Sequence, residues 1–171
     1  MPLINRLLII GVGLIGGSLA RALKKAEACK EIIGSNRNSA QLKKAVELGV
    51  IDRYDTDIAR AAAGVDMIVL AVPVGSTEAI LRQLNGHLDA KTIITDVGST
   101  KQSVIEAVDV VFGKVPGNFV PGHPIAGIEQ SGVEASSALM FQKRRVVLTP
   151  LPETDTQALN KVRMMWEQAG A

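Results

Sequence analysis

Four apolar residues, Leu7 to Ile10, run straight into Gly11-Val12-Gly13-Leu14-Ile15-Gly16-Gly17-Ser18, and Leu19 to Ala26 behind them carry apolar side chains at helical spacing. A strand, a G-x-G-x-x-G turn and a helix in that order restrict the fold more than any other feature of the chain. Gly11 permits the tight turn, Gly13 lets backbone come close to a phosphate, and Gly16 lets the helix approach the strand. The N–H groups of Leu14 and Ile15 in the first helical turn lack intrahelical acceptors and add a partial positive charge, so the pattern predicts a seat for a dinucleotide pyrophosphate. A glycine turn alone is also compatible with simple helix–sheet packing. The strand before it, the helix after it and a second strand at the expected distance select the dinucleotide reading.

The same alternation continues along the chain. Short apolar or β-branched runs at Leu7 to Ile10, Glu31 to Gly34, Met67 to Val72, Thr92 to Thr95, Phe119 to Val120 and Val146 to Leu148 read as strands. Between them, Leu14 to Ala26, Ala40 to Leu48, Thr77 to Leu84, Lys101 to Val110 and Thr156 to Gln168 read as amphipathic helices. With 47% apolar but only 3% aromatic residues, the core must be built from Ala, Val, Ile and Leu, as in a sheet covered by helices. The expected class is therefore α/β: a Rossmann-type doubly wound, mostly parallel sheet with helices on both faces. Its 171 residues suit one NAD(P)-binding domain over residues 1–171. The ending at Gly170 and Ala171, where a helix would hand over to another strand, reads as a chain cut short.

A formal charge of +2 gives no sign of a nucleic-acid or membrane surface. One cysteine, Cys29, excludes an internal disulfide and a cysteine-rich metal cluster, so no metal site is expected. With no long apolar segment and no signal-peptide pattern, the expected location is the cytoplasm.

Ligands of a parallel sheet bind at the carboxyl ends of its strands, which directs attention to four turns. After the second strand come Ser35, Asn36 and Arg37, with no carboxylate to accept from a ribose 2′-hydroxyl or to repel a 2′-phosphate. The expectation is NADP in preference to NAD; a solvated Arg37 beside an unphosphorylated ribose is the alternative. Val72 ends the next strand and, with Pro73 and Ser76 beyond it, faces the cofactor, unless Ser76 serves only as a helix cap. Asp96-Val97-Gly98-Ser99-Thr100-Lys101 brings a hydroxyl and a cation to the substrate side, with capping and solvation as the plain alternatives. Gly122-His123-Pro124-Ile125-Ala126-Gly127 sets an imidazole near the expected nicotinamide site, whereas His87, the other histidine, lies in a polar turn.

The order of Gly11 to Ser18, Ala71 to Ser76, Asp96 to Lys101 and Gly122 to Gly132 resembles the prephenate and arogenate dehydrogenases of tyrosine biosynthesis, over nearly the whole chain. The segments 96–101 and 122–127 carry most of that resemblance, since many unrelated dehydrogenases share the glycine turn. It implies oxidation of a cyclohexadienyl alcohol, prephenate or arogenate, with hydride passing to nicotinamide and loss of the ring carboxylate leaving an aromatic ring. It further implies that His123 accepts the ring hydroxyl's proton, that Ser99 helps position the reacting groups and that Glu129 lies near the pocket entrance. Ile128 stands where the family pattern has Thr or Ser, and Asn36 replaces the acid of NAD-preferring members. The resemblance also implies a following helical domain, outside these residues, that completes the substrate pocket and forms a homodimer. Two other readings stay open: a β-hydroxyacid dehydrogenase whose base lies elsewhere, and a dinucleotide-binding module without catalysis.

Overall fold

The first strand, β1 (Ile4–Ile10), sits in the middle of the molecule, with residues 4 and 7–10 wholly or almost wholly buried. Strand side chains alternate between faces, so a strand covered on both sides needs apolar residues throughout. Leu7 and Ile9 join one hydrophobic cluster, and Leu8 and Ile10 the other. In β4 (Met67–Leu70), Met67 and Val69 divide from Ile68 and Leu70 in the same way. The computed structural model, which describes residues 1–171, thus has two cores sharing one sheet.

The sheet has six strands in the order β3-β2-β1-β4-β5-β6, with β2 at Cys29–Ser35, β3 at Arg53–Tyr54, β5 at Ile93–Asp96 and β6 at Phe119–Val120. Every pairing in it is parallel. Helices α1 (Leu14–Lys25), α2 (Ser39–Glu47) and α6 (Thr156–Gln168) contribute Leu19, Leu42 and Trp166 to the first core. Helices α3 (Ile58–Ala61), α4 (Thr77–Leu84) and α5 (Lys101–Phe112) contribute Ala61, Leu81 and Val108 to the second. This is the expected doubly wound Rossmann fold. Its strand order reverses between β1 and β4, which opens a crevice at their carboxyl ends. None of the helices is long and apolar enough to cross a membrane.

Three features depart from the sequence reading. The two-residue β3 and four-residue α3 lack an apolar run long enough to show periodicity; α3 is capped by the Asp57 side chain, which accepts from the Arg60 N–H. His123 lies within a strand, β7 (Gly122–Ile125), rather than in a turn after β6. Val146 to Leu148, expected as one more strand of the alternation, belongs to β8 (Arg145–Leu148), which pairs antiparallel with β7 in a separate ribbon. Gly122, the next residue on the edge that faces β5, gives its N–H to the Asp96 side chain instead of a ladder carbonyl, so the parallel pairing stops there and the chain leaves the sheet.

Candidate functional site

The crevice is built around the glycine turn. Gly11 has φ 99° and lies so close to β4 that a Cβ there would stand 2.2 Å from the Ala71 carbonyl oxygen. A Cβ on Gly16 would stand 2.1 Å from the Gly11 carbonyl oxygen, so α1 seats against the turn only without one. At Gly13 the situation is the reverse, with nothing within 4 Å of an added Cβ. That residue is the N-cap of α1, and no side chain caps the helix. Uncapped amides and an open face above Gly13 are what a diphosphate bridge requires, and the residues present fit a dinucleotide.

Two adjoining cavities extend from this point. One, of about 470 Å³, is lined by Ser35 at the end of β2, by Asn36 and Arg37 just beyond it and by Val72, Pro73 and Ser76 after β4. The other, of about 370 Å³, is lined by Gly13, Leu14, Ile15, Val97, Gly98 and Ser99. They share Gly13, Ala71, Val72 and Pro73, so the hollow crosses the point where the strand order reverses. Asn36 Oδ1 accepts from the Val12 N–H at 2.8 Å, which turns its amide NH2 away from the glycine turn. Arg37 is exposed on the same wall. Gln41 and Thr56 also line the first cavity; they come from α2 and from the loop after β3, where no local motif marks them. Ser76 and Thr100 occupy the N-cap positions of α4 and α5, yet neither side chain makes a capping hydrogen bond.

His123 is half-buried on β7, opposite Val147 of β8. Its Nδ1 is buried without a hydrogen-bond partner, which leaves Nε2 as the nitrogen open to a ligand. Ser99 is exposed and makes no hydrogen bond to His123. Lys101 is neither solvated nor free: its ammonium pairs with the Asp96 carboxylate and donates to the Gly122 carbonyl at 2.6 Å. Burial holds its pKa below the usual lysine value, against the opposing pull of Asp96. The sequence reading missed Asp96 as a separate participant, although it opens the segment that drew attention to Ser99 and Lys101. Glu129 and Ile128 are both exposed on the connection that follows β7, and His87 is exposed in its turn.

Comparison with known proteins follows the same lines. Residues 19–171 match the family profile described as prephenate dehydrogenase, nucleotide-binding domain. The prephenate dehydrogenase of Bacillus subtilis is 37% identical over 170 residues, which is 98% of this chain and 45% of that protein. The crystal structure of A. aeolicus prephenate dehydrogenase in complex with hydroxyphenyl propionate and NAD+ superposes with a TM-score of 0.89 at 35% identity, over 97% of this chain and 57% of that one. Synechocystis arogenate dehydrogenase superposes with a TM-score of 0.87 at 31% identity, again over 97% and 57% of the two chains. The chain thus spans about half the length of the relatives it matches.

Proposed function

This chain belongs to the prephenate dehydrogenase family through its nucleotide-binding domain, and from that premise we propose that it binds a nicotinamide dinucleotide for the oxidative decarboxylation of prephenate or arogenate. The observation that carries this reading is the hollow running from Asn36, past the uncapped start of α1, to Ser99. It offers one end to an adenosine ribose, its middle to a diphosphate and the other end to a nicotinamide. The relative solved with NAD+ and hydroxyphenyl propionate supports the same chemistry.

A bound nicotinamide supplies the hydride acceptor. The residues of this chain do the rest of the local work. Gly13, Leu14 and Ile15 hold the diphosphate by backbone amides. His123 takes the ring hydroxyl's proton on Nε2 as the ring carbon loses hydride, and returns it to the phenolic oxygen once the ring carboxylate has left as carbon dioxide. Ser99, on the cofactor wall, orients substrate through its hydroxyl, since no covalent intermediate is needed. Glu129 lies at the substrate entrance. The remaining pocket and the homodimer contact belong to a second domain outside residues 1–171, and a reducing cytoplasm suits the single thiol. When the substrate-binding half is supplied, His123→Asn is expected to lower kcat by about 10²–10⁴ with dinucleotide affinity kept. Turnover near that of the parent protein would remove His123 from the reaction.

The proposed cofactor preference is NADP over NAD. The Asn36 amide oxygen is already engaged by Val12, so the group facing an adenosine ribose is a donor, and Arg37 adds a cation on the same wall. Both favour a 2′-phosphate over a 2′-hydroxyl. Calorimetric titration should give tighter binding of NADPH than NADH, and Arg37→Ala should weaken NADPH about tenfold while leaving NADH unchanged. Tighter NADH binding, or an Arg37→Ala protein indifferent to the phosphate, would reverse the assignment.

A further inference from the structure

Because β7 pairs only with β8, no ladder hydrogen bond ties His123 to the six-stranded sheet that carries the glycine turn. Val146 and Leu148 of β8 rest the ribbon on the first core, and the junction where β7 leaves the sheet is held by polar contacts. Asp96, the last residue of β5, is 2% exposed, and a carboxylate so deeply buried is costly unless its oxygens are satisfied. Oδ1 accepts from the Gly122 N–H at 3.1 Å. Oδ2 accepts from the Gly98 N–H at 2.9 Å and from the Lys101 ammonium. Lys101 then donates to the Gly122 carbonyl at 2.6 Å. Both backbone polar groups of Gly122 are therefore held by one ion pair, at the place where the chain leaves the sheet. Gly122 is close-fitted there, since a Cβ would lie 3.0 Å from the Asp96 carbonyl oxygen.

The two residues that the pair grips by backbone are Gly98 and Gly122, the immediate neighbours of Ser99 and His123. We propose that Asp96 and Lys101 are positioning residues that lock the Ser99 turn and the His123 strand into one unit, so that the imidazole stands at a fixed place relative to the cofactor cleft. This rests on the reading of His123 as proton acceptor. Proton transfer tolerates little misplacement, and a shift near 1 Å at such a group costs about a hundredfold in rate. Lys101 acts through Gly122, with its ammonium turned to the protein and not to substrate.

The test uses this chain with His87→Gln as background, which leaves His123 as the one imidazole signal in nuclear magnetic resonance. Lys101→Met keeps the apolar stem and removes the ammonium; Asp96→Asn keeps an acceptor and removes the charge. Lys24→Met, which breaks the distant pair with Asp52, controls for loss of an ion pair as such. The expected result is that Lys101→Met and Asp96→Asn split or broaden the His123 ring signals and shift the Gly98 and Gly122 amides. In Lys24→Met none of these signals moves. Unchanged His123 signals in the folded variants, or equal changes in Lys24→Met, overturn the proposal. If a single variant fails to fold, Asp96→Asn with Lys101→Met leaves no orphaned charge and is read by the same criteria; failure of that protein to fold makes the pair a stability element and also overturns it. Parent protein that binds no dinucleotide sinks the dehydrogenase reading independently, because the His123 signals are read without ligand.

Discussion

Gly13 and Gly16 stand three residues apart in one turn and have opposite reasons for being glycine. A methyl group on Gly13 meets no protein atom within 4 Å, whereas one on Gly16 collides with the Gly11 carbonyl at 2.1 Å and with Ile9 Cγ2 at 2.9 Å. Gly13→Ala is therefore expected to fold with a melting temperature close to that of the parent and to lose at least about tenfold in dinucleotide affinity, because the methyl enters the space a diphosphate needs. Gly16→Ala should destabilise the fold by about 1–3 kcal/mol, as overpacking against backbone generally does. Thermal denaturation paired with calorimetric titration separates the two effects. If Gly13→Ala binds normally, the diphosphate does not lie over that residue.

Among the elements, α6 shows how local signals and long-range packing divide the work. Asp155 caps it, accepting from the Gln157 N–H at 2.7 Å, and its buried face carries Val162, Met165 and Trp166 into the first core. Phe141 meets Trp166 edge-on, with ring centroids 5.1 Å apart at 76°. Asp155→Ala should cost about 1 kcal/mol in denaturant unfolding and leave dinucleotide affinity unaltered, since the cap acts on a helix away from the cleft. A change in affinity instead would mean that α6 is coupled to the glycine turn. The amphipathic spacing of α1, α2, α4, α5 and α6 was legible in the sequence because each helix buries one stripe, which period alone reveals. The short β3 and α3 were not legible, since two- and four-residue elements carry no period and exist through pairing with β2 and capping by Asp57.

At the scale of the whole molecule, both cores share the central sheet, so a change at its amino-terminal edge is felt as global stability. Cys29 opens β2, and burial, helped by the nearby charges of Asp52 and Asp66, pushes its thiol from 9.0 up to about 12. Below pH 9 folded and unfolded thiols are both protonated and add nothing to the slope. Above it the unfolded chain releases a proton that the folded chain retains, so stability falls with rising pH through the window from about 9 to about 12. Its contribution to that fall is at most roughly 1.4 kcal/mol per pH unit. Denaturant titrations between pH 8 and 10.5 should show a steeper loss for the parent than for Cys29→Ala. Equal slopes would mean that the folded thiol ionises freely.

The βαβ alternation and the glycine turn were legible along the chain, because periodicity and backbone conformation are encoded over a few neighbouring positions. Long-range packing puts His123 on an antiparallel ribbon outside the main sheet, turns the Asn36 oxygen to Val12 and pairs Lys101 inward with Asp96. Those outcomes depend on groups 5 to 26 residues apart meeting in a desolvated place. Which partner a buried charge or amide takes is settled by what lies within hydrogen-bond reach after folding, and that is invisible to any pattern read along the chain.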